Sequence, residues 1–151
     1  MDEKIVLERL QRLCARAEHC SSDISRRALK ALEGDSEAAR RIVASLEKDR
    51  FVDDARYALA FAREKSSLQG WGPVKIRYAL RAKGIASHIA DEAVASCGDS
   101  EAAASRMEKL LSSKARQLQG DPAARGKLMR FALGRGYTYD QALPVVEKLL
   151  K

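Results

Sequence analysis

Five pairs of like residues recur 52 positions apart in this chain: Ile76 and Leu128, Lys83 and Arg135, Gly84 and Gly136, Ala90 and Ala142, Val94 and Val146. A constant offset of this kind marks repeated supersecondary units, and it limits the fold more than any single motif does. A unit that short cannot bury a full core alone, so successive units must pack on one another, as in helical solenoids. Residues 53–98 and 99–151 read as two such units, with the Lys-Gly-Ile of one replaced by Arg-Gly-Tyr in the other. Residues 1–52 read as a further, less similar unit, with no Lys-Gly-Ile equivalent and a shorter linkage at Gly34.

The units are predicted to be helical throughout. Ala and Leu far outnumber Val, Ile and Thr, whose branched side chains lose more freedom in a helix, and apolar residues fall three and four apart. A first helix carries Ile5, Leu10 and Leu13 and ends near His19. A second carries Ile24, Ala28, Leu29 and Leu32 and closes at Gly34. Asp35 caps a third, whose apolar face is Ala39, Ile42, Val43 and Leu46. Asp53 opens a fourth, which bears Tyr57, Phe61 and Leu68 and stops at Gly70. Gly72-Pro73 is a cap followed by proline at the first helical position. That fifth helix turns Ile76, Ala79 and Leu80 inward and ends at Gly84, a left-handed C-terminal residue.

Ser87 is expected to cap a sixth helix, with Ile89, Ala90, Ala93 and Val94, closed by Gly98. A seventh runs from about Asp99 to Gln119, and Asp121-Pro122 opens an eighth. Thr138 and Gln141 match a capping box for a ninth, which Pro144 should kink or shift. The expected fold class is therefore all-α: three tandem three-helix repeats forming an elongated, curved right-handed-helical array.

The 151-residue chain has 28 Lys and Arg against 21 Asp and Glu, a net charge of +7 that favours polyanionic partners. From Lys65 to Ala90 there are five cations and no acid; from Lys109 to Tyr139 there are seven cations and only Asp121. The three cysteines are an odd count, and the N-terminus is charged and carries no secretory pattern. A soluble, reducing, cytoplasmic protein is expected. The longest apolar run, YALAFA, is far short of the roughly 20 residues that cross a bilayer. Cys14 and Cys20 flank His19, but this spacing matches no zinc site, and the thiols are expected to be buried or half-buried. Neither metal nor cofactor is expected.

The run QGWGPVKIRYALRAKGI at 69–85 invites a phosphate-loop reading. Such a loop needs a preceding strand, a Lys-Ser or Lys-Thr, and carboxylates for magnesium. Here a helix precedes, Lys75 is followed by Ile76, and no strand pattern exists; the dinucleotide fingerprint fails for the same reason. Catalysis needs an oriented base. His19 and His88 lie in different units near helix ends, and Asp53-Asp54 point apart at a helix N-terminus, where the dipole accounts for them. Trp71 either packs the connection or serves as an exposed contact.

Cation geometry remains. On the fifth helix, Arg77 and Arg81 share a face roughly opposite the apolar stripe, with Lys75 in the first turn and Lys83 in the last. Arg56 and Arg63 share a side of the fourth helix. Lys127 and Arg130 lie outside the Leu128–Phe131–Ala132 stripe of the eighth, and Arg135 repeats Lys83. Clustered arginines can fork onto carboxylates or phosphates. A solvated basic rim is the competing reading for each residue taken alone.

DRFVDDARYALAFAREK at 49–65 followed by WGPVKIRYALRAKGI at 71–85 resembles the RecX family, regulators of the bacterial RecA recombinase. The matching positions are Asp54, Arg56, Tyr57 and Ala58, then Gly70, Gly72, Pro73 and Ile76, then Lys83, Gly84 and Ile85. CARAEHCSSDISRRALKALEG resembles the family's first unit, though Ala17-Glu18-His19-Cys20 replaces its usual arginine run, and KLMRFALGRGYTYDQALPVV resembles its third. The resemblance implies three tandem three-helix units, no catalysis, and binding in the groove of the RecA filament on single-stranded DNA. It further implies limits on filament growth, ATPase and strand exchange. Arg56, Arg63, Lys75, Arg77, Arg81 and Lys83 are the first contact candidates, then Lys127, Arg130 and Arg135. DNA contact is expected to be indirect or weak, with no membrane partner and a monomeric chain. A stand-alone nonspecific nucleic-acid-binding module is the alternative; aromatic residues for base stacking, at 5%, weigh against it.

Overall fold

The computed structural model describes residues 2–98 and 101–151, so the expected start of the seventh helix at Asp99 lies outside the described residues. The element order is α1 (Glu3–Arg16), α2 (Ser21–Ala31), α3 (Ser36–Lys48), α4 (Asp54–Ser67), α5 (Pro73–Ala82), α6 (Ser87–Gly98), α7 (Glu101–Gln117), α8 (Ala124–Gly134) and α9 (Tyr139–Leu149). No strand occurs among the described residues. The chain is all-helical and arranged as tandem three-helix units.

Local chemistry explains most helix starts. Asp35 and Asp53 accept from the Ala38 and Arg56 amides, and Thr138 with Gln141 forms a complete capping box, each satisfying amides that a first helical turn leaves open. Gly72 precedes Pro73 at the start of α5. Three starts or interiors differ from expectation. Ser87 is the first residue of α6 rather than its cap, because the Ala86 carbonyl accepts from the Ala90 amide at 3.0 Å. The Asp121 carboxylate holds the Ala123 amide at 2.8 Å in a turn of its own, so α8 begins only at Ala124. And α9 runs through Pro144 without a displaced start; this residue is exposed, where water can reach the carbonyl its missing amide leaves free.

Apolar side chains gather into three clusters. Val6, Leu10, Ile24, Ala28, Ile42 and Leu46 belong to the first. Ala58, Ala62, Ile76, Leu80, Ile85 and Ala90 belong to the second, and Met107, Leu111, Leu128, Ala132, Tyr137 and Val146 to the third. The inward residues of α4 are thus the small Ala58 and Ala62, both 0% exposed, whereas Leu68 is 77% exposed at the helix end. Ile5 and Leu29 also face outward.

The structure reveals the repeat in the first unit. Val6, Leu10, Ile24 and Ala28 stand 52 residues before Ala58, Ala62, Ile76 and Leu80, and all eight are buried. Beyond the α2–α3 turn, Ala39 and Ile42 stand 51 residues before Ala90 and Ala93. One residue more between Ala28 and Ala39 than between Leu80 and Ala90, and not the shorter linkage expected at Gly34, shifts the register; the turn itself carries Glu33 at φ 55° and Gly34 at φ 89°.

Gly84 has φ +81°, and a Cβ there would meet Ser22 only at ordinary contact distance, 3.6 Å. Backbone strain is then the whole expected penalty of Gly84→Val, about 1 kcal/mol or more, read as a lower denaturation midpoint.

Candidate functional site

The middle helix of each unit meets the turn that follows the middle helix of the next unit, and the residues singled out by the sequence concentrate at these joints. At the first joint the N-terminus of α2 lacks a side-chain cap of its own. Asp54, the first residue of α4, supplies it, accepting from the Ser21 amide at 2.8 Å and the Ser21 hydroxyl at 2.7 Å. The Ser22 hydroxyl donates to the Lys83 carbonyl at 2.6 Å, and the Lys83 ammonium reaches Asp23 at 3.3 Å. Cys20, 0% exposed, belongs to the first unit by sequence yet packs in the second cluster. Asp54→Ala should cost about 2 kcal/mol, since it strips a charged acceptor from two partly buried donors; a chemical denaturation curve measures it, and Asp54→Asn should recover part of the loss.

The second joint repeats the first 52 residues on, with backbone in place of side chains. The Gly72 amide donates to the Arg135 carbonyl at 2.7 Å and the Val74 amide to the Gly136 carbonyl at 2.8 Å. The Tyr137 hydroxyl donates to the Gly70 carbonyl at 3.1 Å, and the Arg135 guanidinium donates to the Gln69 carbonyl. A Cβ on Gly72 would lie 2.4 Å from the Gly136 backbone, and one on Gly136 2.4 Å from the Lys75 Cβ. The Gly-x-Gly-Pro turn is therefore where two backbones touch.

Several of the predicted contact residues are occupied within the chain. Arg56 bonds Glu18 at 2.5 Å and the Arg50 carbonyl at 3.0 Å, and its bond to Glu18 holds the guanidinium pKa above the usual value. Arg77 pairs with Asp91 at 2.7 Å, Lys127 with Asp121 at 2.6 Å, and Arg81 donates to the Ile85 carbonyl at 2.6 Å. Lys83 and Arg135 hold the two joints. Arg63 and Arg130 are exposed and make no ion pair among the described residues. The carboxylate pairs on Arg77 and Lys127 are solvent-exposed, and such pairs exchange readily for another anion.

One cationic group joins Lys75, a contact candidate from the sequence, to Lys65, which the sequence does not single out. The Lys65 and Lys75 ammonium groups stand 4.8 Å and 4.5 Å from the Trp71 ring, and Lys65 also 5.5 Å from the Phe61 ring. Neither lysine pairs with a carboxylate among the described residues. Trp71 is half-buried, its edge against Phe61 at 6.3 Å between centroids. It both packs the connection and presents a face that concentrates positive charge. Lys65 and Lys75 lie ten residues apart on different helices, so helical spacing could not join them; only their common distance to the sole tryptophan could.

Among the described residues, no paired acid and base or activated nucleophile accompanies these charges. The cavity between the second and third units, about 190 Å³, is lined by Trp71, Ile76, Val94, Cys97, Arg106 and Met107 among others, with no His, Asp or Glu. Burial pushes the Cys14 thiol up, with Glu18 adding to the effect, away from the thiolate that reacts. Burial, with Arg27 nearby, lowers the His19 pKa. No group of three or more His, Cys, Asp or Glu suited to a metal occurs among the described residues. No helix among them is long and apolar enough to cross a membrane.

A family model described as RecX, second three-helix domain, matches residues 53–94. The chain is 30% identical over 119 residues to a Clostridium botulinum protein named Regulatory protein RecX, covering 77% of this chain and 55% of that one. It is 27% identical over 146 residues to a Cronobacter sakazakii protein of the same name, covering 87% and 84%. The chain thus spans about half the length of the clostridial relative and most of the enterobacterial one. A crystal structure of RecX from Lactobacillus salivarius superposes with a TM-score of 0.87 at 18% identity, covering 97% of this chain and 96% of that one. At that identity the likeness speaks for the fold.

Proposed function

The chain belongs to the RecX family, and on that premise we propose that it regulates the RecA recombinase, chiefly as an inhibitor, without chemistry of its own. It lies in the groove of the RecA filament on single-stranded DNA, bridges successive recombinase subunits, and limits filament growth, ATPase and strand exchange. It acts in the cytoplasm, where that filament forms.

The observation that carries this reading is the unneutralised cation group at the second joint: Lys65 and Lys75 against Trp71, with Arg63 on the same helix as Lys65. Positive groups left without carboxylates on a rigid joint fit an acidic protein groove or a phosphate. Arg63, Lys75, Arg77, Arg81, Lys127 and Arg130 are the outward contacts under this proposal, and Lys65 joins them. Arg56, Lys83 and Arg135 serve it indirectly, by holding the units that present the others.

The test is a titration of this protein into RecA turning over ATP on single-stranded DNA. Substoichiometric amounts should lower the rate; a rate unchanged across the titration ends the proposal. The same Trp71 group also favours a second reading, binding to nucleic acid without the recombinase. A salt series on naked single-stranded DNA separates the two. Stand-alone binding would weaken with a slope of about −0.7 per phosphate contacted. Under the main reading, naked DNA binds far more weakly than the filament at every salt concentration.

A further inference from the structure

Both joints use one design, and among the described residues one further turn and one further socket of that design have no partner. The sockets are the N-termini of α2 and α5, neither of which has a side-chain cap of its own. Into them fit the turns that end α5 and α8, each with a left-handed glycine, Gly84 at φ +81° and Gly136 at φ +98°. The third socket is the N-terminus of α8, which likewise has no side-chain cap. Its Gly126 stands 52 residues after Val74, whose amide is satisfied by the Gly136 carbonyl at the second joint. Among the described residues the Gly126 amide has no acceptor, and a Cβ on Gly126 would meet only the tip of Arg130, at 3.5 Å.

The unused turn is at the other end. After α2, Leu32 takes the C-cap place that Lys83 and Arg135 take in the later units. Glu33 then corresponds to Gly84 and Gly136, and shares their left-handed backbone at φ 55°. Nothing lies within 4 Å of a Cβ on Gly34, so this turn is uncovered. The Glu33 carbonyl, the counterpart of the Gly136 carbonyl, accepts no hydrogen bond among the described residues. Charge agrees as well. The turn exposes Glu33 and Asp35, while the start of α8 exposes Arg125, Lys127 and Arg130.

We infer that a second copy of this chain docks its α2–α3 turn on the α8 N-terminus, continuing the interface already used twice within the chain. The Gly126 amide would donate to the Glu33 carbonyl of the neighbouring copy, with Arg125 near its carboxylate. Such a contact joins different surfaces and does not close on itself, so it builds an open row of chains. The inference goes beyond the proposed regulation and stands without it.

Sedimentation of the purified protein, free of recombinase and nucleic acid, tests it from micromolar to millimolar concentration. The weight-average mass should climb steadily, with no plateau at two chains. Glu33→Arg and Arg125→Glu should each abolish the climb, and the doubly exchanged chain should regain it. Both residues are exposed, and the bridge from Arg125 to Glu147 at 3.1 Å is a surface pair of small consequence for folding. A single-chain mass throughout, a plateau at two chains, or single variants that associate like the parent would each overturn the inference.

Discussion

Gly72→Ala is expected to destabilise the protein by about 3 kcal/mol or more, although the residue lies in a turn and gains only a methyl group. The added Cβ would fall 2.4 Å from the Gly136 carbonyl carbon, 2.4 Å from the Tyr137 nitrogen and 2.5 Å from the Gly136 oxygen. All three are backbone atoms, so no side chain can swing away. The joint must open, and opening breaks the bonds from the Gly72 and Val74 amides. Two backbone bonds at about 1 kcal/mol each, with an overpacking strain of about 1–3 kcal/mol, give the figure. Gly134→Ala is the control: it lies in α8 with no atom within 4 Å of its Cβ position, and alanine there should be neutral or stabilise by up to about 1 kcal/mol. Equal denaturation midpoints for the two variants would show that the joint does not depend on close backbone approach.

The second large effect is functional. Exchanging Lys65 and Lys75 together for Glu should raise the concentration needed to halve RecA ATPase at least tenfold, which is about 1.4 kcal/mol of binding. Reversing both charges replaces attraction to an acidic or phosphate-lined groove with repulsion. The fold should survive, because the contacts of the two ammonium groups with Trp71 are worth only about 0.5–1 kcal/mol each at an accessible site. Lys4→Glu with Lys48→Glu carries the same change of net charge on exposed parts of the first unit. Equal loss in both double variants would assign the effect to overall charge and remove Trp71 and its lysines from the contact surface.

Local signals are legible in the sequence. Asp35, Asp53, Gly72-Pro73, Gly84 and the Thr138–Gln141 box act within a few residues of themselves, and the structure uses each as expected. Burial of Ala58 and Ala62 was not legible, because a small side chain becomes core only when a neighbouring helix comes close. Leu68 misled for the opposite reason: it is large, but it sits where the helix ends. The cations show the same limit. Periodicity gives the direction in which Arg56, Lys83 and Arg135 leave their helices. Their partners Glu18, Asp23 and Gln69 come from distant sequence, so a face that looks open is closed by the preceding unit. A single additional residue between Ala28 and Ala39 is enough to hide the first copy of the repeat.

Cys20 and Ser21 show that a unit's own middle helix is completed by residues that come later in the chain. Asp54 lies 33 residues beyond Ser21, and Cys20 is buried by side chains of the second cluster. During synthesis on the ribosome each emerging unit therefore exposes one unsealed helix start until its successor has been translated. The array closes backward, from newer chain onto older, so a nascent fragment that stops before residue 54 should expose the Cys20 thiol that the finished protein conceals.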